Sequence, residues 1–169
     1  MPYSDPAFDI EIDKFIKKNK FTSYLDIGVG SGKYSKIIRK NIPNAKIVGV
    51  EADISYIKEF NLNKKYSKMY NQSIEEFIED NPDFFVDIAI IGDCIEHLKK
   101  SDGINLLHYL VYRAKYILVV FPTQYIQYSW NGHSTEAHRS IWDKSDFIQF
   151  KYRFKKRGMM NLAIIKGFL

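Results

Sequence analysis

Short apolar runs alternate with segments of helical periodicity along the 169 residues of this chain. The runs are rich in Ile, Val, Leu and Tyr, and the near-continuous run at residues 86–91 is typical of a central parallel strand. Such alternation predicts an α/β fold with a doubly wound, mainly parallel sheet and helices on both faces. The last two runs are close enough in sequence to form an antiparallel hairpin. The predicted strands are residues 23–27, 46–50, 67–71, 86–91, 116–121, 151–154 and 162–166.

Between these runs, apolar residues recur at intervals of three and four, which indicates amphipathic helices. Near the start of the chain, Phe8, Ile12 and Ile16 fall on one helical face, and lysines occupy much of the remainder. We therefore expect residues 1–20 to form a helix that packs on a single domain of residues 21–169. Further helices are predicted at residues 32–41, at 55–60, from residue 73 onward and at 103–114.

Three glycines at alternate positions follow the first predicted strand, in the sequence Asp-Ile-Gly-Val-Gly-Ser-Gly at residues 26–32. Glycine is needed where the backbone turns tightly and a ligand approaches without a Cβ in the way. Glu51 ends the next apolar run, and a carboxylate there can accept hydrogen bonds from both hydroxyls of a ribose. The turn and the acid together predict a nucleoside-cofactor site at the carboxyl edge of the sheet.

The spacing of these glycines separates three kinds of site. A phosphate-binding P-loop needs a glycine five positions before the Gly-Lys pair and Ser or Thr after it, but this chain has Ile27 and Tyr34 there. A dinucleotide fold needs its third glycine where this chain has Lys33, and Gly32 comes one residue early. The spacing therefore excludes the P-loop and disfavours the dinucleotide site.

The D-x-G-x-G-x-G form instead resembles motif I of the class I (Rossmann-like) S-adenosylmethionine (SAM) methyltransferases, here of a small stand-alone type. The seven strands and final hairpin are also similar to the sheet of that family, which is usually ordered 3-2-1-4-5-7-6. The resemblance covers residues 21–169 and implies SAM as methyl donor and S-adenosylhomocysteine (SAH) as product. After the third strand, where the family more often has Asp near the adenine, this chain has Gln and Ser. The residues that the resemblance assigns to the cofactor are Asp26, Gly28, Gly30, Ser31, Gly32, Glu51, Gln72, Ser73 and Asp93.

A second motif follows the fourth strand, where residues 93–98 resemble the D/E-x-I-E-H-L segment of some SAM methyltransferases. Asp93 is predicted to meet the methionine end of the cofactor or to orient the acceptor; the alternative is a helix cap. Small-RNA 3′-terminal 2′-O-methyltransferases and some quinone-pathway O-methyltransferases share an E-x-x-E-H-type motif that binds a divalent ion. By this resemblance, Asp93, Glu96 and His97, joined by His138, imply a metal site. Alternatively, Glu96 and His97 open the next helix and His138 is an ordinary loop residue.

Residues 122–142 show no clear period and contain many aromatic and polar side chains, including Tyr125 and Trp130. A loop of this length in a compact domain is often a lid or a binding loop. We therefore expect the methyl acceptor to enter between this loop and the segment at residues 93–97.

His138 is the candidate acceptor-side base or metal ligand in this loop. Residues 136–142 resemble an E-x-H-x-S-x-W element of small class I methyltransferases. An unshifted histidine titrates near neutrality, so it can take a proton from a hydroxyl or an amine. His133 is the alternative base. The catalytic candidates are Asp93, His97 and His138.

The net charge of +5 and the pI near 9.1 indicate a mild preference for anionic partners. The basic and aromatic residues at 151–157 fit a nucleic-acid surface or, as we favour, an edge strand. Cys94 is the only cysteine, which excludes an internal disulfide and fits a reducing compartment. Apolar runs fall short of the ~20 residues of a membrane span, and residues 1–9 lack a signal-peptide pattern. We expect a cytoplasmic protein with no membrane partner.

These observations predict an enzyme that transfers a methyl group from SAM to an unidentified acceptor. A metal site would favour an oxygen acceptor, but the sequence leaves oxygen, nitrogen and carbon open. Small-molecule, RNA and protein acceptors all stay open, and a homodimer could complete the pocket. Two other functions are retained as alternatives. The chain could be a non-catalytic SAM-fold module that binds RNA, or an NAD-dependent oxidoreductase, although the glycine spacing disfavours the latter.

Overall fold

The computed structural model describes residues 3–124, 126–129 and 132–169. Tyr125 and Trp130 of the predicted binding loop lie outside these residues. The described α-helices are α1 (Asp9–Asn19), α2 (Lys33–Asn41), α3 (Ile54–Glu59), α4 (Ile74–Asp80) and α5 (Lys100–Val111). The described strands are β1 (Ser23–Ile27), β2 (Lys46–Val50), β3 (Lys68–Tyr70), β4 (Val86–Gly92), β5 (Ala114–Pro122), β6 (Tyr152–Arg157) and β7 (Met160–Lys166).

The seven strands form one sheet in the order β3-β2-β1-β4-β5-β7-β6. Strands β1 to β5 pair in parallel, whereas β7 is antiparallel to both β5 and β6. The predicted fold class and strand order are therefore confirmed. Because β1 has β2 on one side and β4 on the other, the carboxyl ends of these strands form the switch point where open α/β sheets bind ligands.

Alternate side chains along the strands enter two hydrophobic cores, one on each face of the sheet. Leu25 packs on one face with Phe77 of α4 and Leu106 of α5. Tyr24, the preceding residue, packs on the other face with Ile12 of α1 and with side chains of α2 and α3. Helices therefore cover both faces of the sheet, as the alternating pattern predicts.

Helix α1 follows the amphipathic pattern of its sequence. Ile12 and Ile16 are fully buried, whereas Lys17 and Lys18 are exposed. The helix ends at Lys20, which has a left-handed backbone with φ of 53° and donates its N–H to the Ile16 carbonyl at 3.0 Å. None of the described helices has both the length and the apolar character needed to cross a lipid bilayer.

Helix α5 and strand β5 differ from their predicted limits. The helix begins at Lys100 and ends at Val111 instead of extending to Ala114, which is the first residue of β5. Ala114 pairs with Val86 at the start of β4, and the Val86 N–H donates to the Arg113 carbonyl at 2.9 Å. Strand β5 begins as early as Ala114 because strand β4 provides partners for the backbone groups there. The periodicity of the segment's own sequence does not show where a neighbouring strand will pair.

Strand β6 lies at the free edge of the sheet. Tyr152 and Phe154 are half-buried and pack on one core, whereas Arg153 and Lys155–Arg157 are exposed. This alternation agrees with the interpretation of residues 151–157 as an edge strand, in which exposed cations oppose pairing with other chains.

Candidate active site

The predicted glycine turn connects β1 to α2. Gly28, Gly30 and Gly32 have φ angles of +67°, +51° and +81°, in the left-handed region that residues with a Cβ enter only at an energetic cost. The Gly28 N–H donates to the Val50 carbonyl at 2.9 Å. This bond fixes the turn beside the carboxyl end of β2.

Gly28 has almost no room for a side chain, because a Cβ there would lie 2.4 Å from the Cys94 Sγ. We expect Gly28→Ala to lower the free energy of unfolding by about 2–4 kcal/mol, through overpacking added to backbone strain. Gly158→Ala is the matched control, since Gly158 has φ of +57° but nothing within 4 Å of its Cβ position. Its expected cost is about 1–2 kcal/mol, from strain alone. Urea denaturation measures both variants, and equal losses would contradict the packing argument.

A cavity of about 290 Å³ opens beside the glycine turn and the ends of β2 and β4. Of the predicted site residues that the structure describes, several do not line this cavity, among them Asp26, Ser31, Gly32 and Glu96. His138 lines an adjacent cavity of about 470 Å³, and Arg139 lines both. The predicted site residues in the wall of the first cavity are Gly28, Gly30, Glu51, Gln72, Ser73, Asp93 and His97.

Glu51 is held rigidly at the end of β2. Its side chain is buried, and its two carboxylate oxygens accept hydrogen bonds from the Gly30 and Asp53 N–H groups, each at 2.9 Å. Burial raises the pKa of Glu51, although these two bonds oppose that rise. The carboxylate therefore has a fixed position in the cavity wall, suited to accepting bonds from ligand hydroxyls.

Gln72 and Ser73 lie where the chain enters α4. Ser73 and Glu76 form a reciprocal capping box. The Gln72 amide nitrogen donates to Asp80 at 2.5 Å, and its buried Oε1 has no hydrogen-bond partner among the described residues. An amide oxygen at the cavity wall is an acceptor for an amino group of a ligand.

Asp26 lies beneath the cavity and is fully buried in β1. The Tyr66 hydroxyl donates to its carboxylate at 2.5 Å, but burial outweighs this bond and raises the pKa of Asp26 to about 7. Asp26 is thus protonated in the folded protein at a pH where it is ionised in the unfolded chain.

This raised pKa predicts a pH-dependent contribution to stability. The contribution is fully present below the unfolded-state pKa near 4 and is lost as pH rises through about 7. We expect the free energy of unfolding to fall between pH 5 and pH 8, and Asp26→Asn to remove ~2–4 kcal/mol of that fall. Chemical denaturation at pH 5 and pH 8 measures the free energy of unfolding of both proteins. An equal fall in the wild type and in Asp26→Asn would contradict this assignment.

Asp93 ends the fourth strand in a left-handed conformation, with φ of 49°, and does not cap a helix. Its carboxylate accepts a hydrogen bond from the Asp5 N–H at 2.6 Å. The Lys33 ammonium, from the start of α2, donates to the carbonyls of Ser4 and Asp5 and pairs with the Asp9 carboxylate at 2.7 Å. Burial raises the pKa of Asp93 to about 6, against the effect of Lys33. A segment near the N-terminus thus covers this end of the cavity.

Glu96, His97 and His138 come together, with one ligating atom of each within 4.8 Å of the others. Glu96 is buried, and its Oε2 has no hydrogen-bond partner among the described residues. Burial, reinforced by Asp93, raises the pKa of Glu96 well above its ordinary value. A bound cation would offset the cost of this buried, unpartnered oxygen, so the residues present fit a metal ion.

The orientation of His97 also suits a metal ligand. Its Nδ1 lies 3.2 Å from the Ala137 carbonyl, and because a carbonyl only accepts, we assign the ring proton to Nδ1. The Nε2 lone pair is then available for ligation, in the arrangement usual for metal-bound histidine. Burial lowers the pKa of His97, which favours the neutral ring.

Backbone contacts explain how a distant histidine reaches this cluster. The N–H groups of Arg139 and Ser140 donate to the Glu96 carbonyl at 2.8 and 3.1 Å, which docks the loop that contains His138. Glu96 and His97 form a separate 3-10 turn (Ile95–His97) ahead of α5 and do not open that helix. The alternative prediction that Glu96 and His97 open the next helix is therefore wrong.

His133, the other candidate base, has a different environment. Its Nδ1 lies 2.6 Å from an oxygen of Asp53, and its ring packs 4.8 Å from that of Tyr56. Asp53 also caps α3 by accepting a hydrogen bond from Ser55. Through these contacts, His133 attaches the loop that follows β5 to α3 and to the residue that caps it.

Glu136 is a site residue that the sequence analysis missed. It is buried and accepts a hydrogen bond from the Tyr56 hydroxyl at 3.0 Å, while its other oxygen lies 3.9 Å from the His97 Nε2. Glu136 stands two residues before His138 in the E-x-H-x-S-x-W element, and this position was the sequence signal that could have identified it. Like Glu51 and Asp93, it contributes a carboxyl group to the cavity wall, which also contains the cations Lys99 and Arg139.

The sequence and the structure of this chain were compared with those of known proteins. No protein-family model matches the chain, and no curated protein sequence matches it. Its structure is similar to an O-methyltransferase family protein from Burkholderia thailandensis (TM-score 0.67, 9% identity), covering 95% of this chain but only 56% of that one. It is also similar to the plantazolicin methyltransferase BpumL in complex with SAH (0.68, 15%), covering 95% of this chain and 82% of that one.

A third similar structure is the methyltransferase domain of bacterial CtHen1-CN, with a TM-score of 0.69 and 15% identity. The alignment covers 97% of this chain and 100% of that domain. At such low identities, the likeness concerns the fold, and it agrees with the strand order. This chain therefore has the class I SAM-dependent methyltransferase fold.

Proposed function

We propose that this protein is a SAM-dependent methyltransferase that acts on a hydroxyl acceptor positioned at a divalent cation. The observation that supports it most directly is the cluster of Glu96, His97 and His138 beside a cavity at the switch point of this fold. The O-methyltransferase family protein and the methyltransferase–SAH complex among the similar structures support the reaction class. Neither identifies the acceptor.

The cofactor would lie in the cavity beside the glycine turn. Glu51 would accept bonds from the ribose hydroxyls, and Gln72 Oε1 would accept from the adenine amino group. SAM carries a positive sulfonium and an ammonium group, and the acidic wall formed by Glu51, Asp93 and Glu136 favours both. Asp93, at the opposite end of this wall from Gln72, is the partner that we assign to the methionine part.

Glu96, His97 and His138 would hold the divalent cation through one carboxylate and two imidazoles, a donor set suited to Mn²⁺, Fe²⁺, Co²⁺ or Zn²⁺. The cation would lower the pKa of an acceptor hydroxyl and fix its position. The protein residues orient these donors: the Ala137 carbonyl holds the His97 ring, and two backbone N–H groups hold the turn that contains Glu96. Because the methyl group of SAM is already activated, transfer needs proximity and a deprotonated acceptor but no protein nucleophile.

Incubation with methyl-labelled SAM and Mn²⁺ tests this proposal. Separate reactions would contain hydroxylated small molecules, RNA oligonucleotides and peptides, each with and without a chelator. We expect label in one hydroxyl-bearing pool and its loss with chelator. Label that persists unchanged with chelator would reject the metal, and SAH binding without transfer to any pool would favour a non-catalytic module.

Thermal shifts with SAH and NAD separate the proposal from an oxidoreductase. SAH should raise the melting temperature and NAD should not, because the glycine turn lacks the spacing that dinucleotide sites use. A shift with NAD alone would reject a SAM-dependent function.

A further inference from the structure

The candidate metal cluster contains one carboxylate where the sequence motif implied two. Asp93 occupies the first acidic position of that motif, but among the described residues the group of mutually close ligating atoms contains Glu96, His97 and His138, and neither Asp93 nor Glu136. We propose that Glu136 supplies the second carboxylate as the fourth protein ligand of the cation. This inference rests on the proposed function, because it assumes that a divalent cation binds at this cluster.

Asp93 is committed to other contacts. Its Oδ2 accepts from the Asp5 N–H at 2.6 Å, and its left-handed backbone holds the side chain beneath the segment that Lys33 anchors. Asp93 therefore belongs to the end of the cavity that Ser4 and Lys33 close.

Glu136 already lies close enough to share a cation with His97. Two donor atoms bound at 2.0–2.2 Å to one ion are separated by at most about 4.3 Å. The Glu136 Oε2 and the His97 Nε2 are 3.9 Å apart. This separation is short enough for both side chains to hold one cation.

The surroundings of Glu136 are those of a metal-binding carboxylate. The side chain is 9% exposed, so its charge is poorly solvated and favours a cation. The Tyr56 hydroxyl donates to its other oxygen at 3.0 Å, as outer-shell donors commonly orient ligating carboxylates. Because the same loop contains Glu136 and His138, docking of that loop on Glu96 delivers two ligands together.

Tyr56 also lines the cofactor cavity. The Tyr56–Glu136 hydrogen bond therefore joins the wall of the cofactor site to the metal cluster.

Titration of the full chain with Co²⁺ tests the proposal, followed by calorimetry and by the visible absorption of the bound ion. We expect Glu136→Gln to weaken Co²⁺ binding by about tenfold or more and to change the spectrum. Glu79→Gln is the matched control, because Glu79 is an exposed acid on α4, and it should bind Co²⁺ like the wild type. Asp93→Asn should bind Co²⁺ within about threefold of wild type while its SAH affinity falls.

Two results would overturn the proposal: wild-type Co²⁺ affinity and spectrum in Glu136→Gln, or an equal loss of Co²⁺ affinity in Asp93→Asn. Absence of Co²⁺ binding by the wild type would instead reject the metal in the proposed function. If Glu136→Gln does not fold by circular dichroism, Tyr56→Phe replaces it. That variant keeps the carboxylate but removes its orienting donor, so Co²⁺ affinity should fall by about three- to tenfold, and unchanged affinity would overturn the proposal.

Discussion

Replacing Glu51 with alanine is expected to weaken SAH binding by about 10²–10³-fold, because the ribose hydroxyls lose a charged acceptor. A hydrogen bond to a charged group contributes about 1.5–3 kcal/mol, and two such bonds near the lower end of that range, about 3–4 kcal/mol together, correspond to this loss. Glu51 is 8% exposed, and its oxygens are fixed by the N–H groups of Gly30 and Asp53. This preorganisation means that little of the interaction energy is lost in ordering the side chain.

Calorimetric titration with SAH measures the Glu51 effect. Glu59→Ala is the matched control, because Glu59 is an exposed acid on α3 and should leave the affinity unchanged. The free energy of unfolding must be measured in parallel, since Glu51 also accepts from the glycine turn. A folded Glu51→Ala protein that binds SAH within about threefold of wild type would place the ribose elsewhere in the cavity.

Replacing His97 with alanine is expected to abolish divalent-cation binding and to lower methyl transfer by about 10³-fold or more. His97 contacts Glu136 and His138 and presents Nε2 to them through its bond with Ala137. In the proposed function, its loss would remove a ligand from the cluster, and the acceptor hydroxyl would lack the cation that favours its deprotonation. SAH affinity should change little, because Glu51 and the glycine turn are intact.

Co²⁺ titration, SAH titration and labelled-methyl transfer together measure the His97 effect. His108→Ala is the matched control, since His108 is exposed on α5 and packs against Phe150, away from the cluster. Transfer by His97→Ala at the wild-type rate would show that the reaction does not depend on the cluster. Loss of SAH binding in that variant would point to a general disturbance of the cavity.

The fold was largely predictable because its signals are local. The Leu25 and Tyr24 faces of β1 follow from the alternation of side chains along a strand, and the apolar run of β4 marks a strand buried on both faces. The glycine turn follows from spacing, because φ angles near those of Gly28 and Gly32 are costly for other residues. Element ends were less predictable, as Ala114 shows, because strand pairing decides where β5 begins.

The site was predictable only where its residues stand at strand ends. Glu51, Asp93 and His97 each follow a strand, and parallel topology brings such positions to one edge of the sheet. Glu136 and Ser4 carry no local signal of this kind. Their places in the site depend on how a loop and an N-terminal segment fold back onto β2 and β4.

The sequence by itself thus determined the parallel sheet, the glycine turn and the acidic group at the end of β2, since each is specified within a few neighbouring residues. Tertiary structure alone decided the bond between Asp5 and Asp93, the docking of Arg139 on Glu96 and the approach of Glu136 to His97. These contacts join residues that are far apart in the chain. Their formation requires loop closure and the exclusion of many competing partners, which no short stretch of sequence specifies.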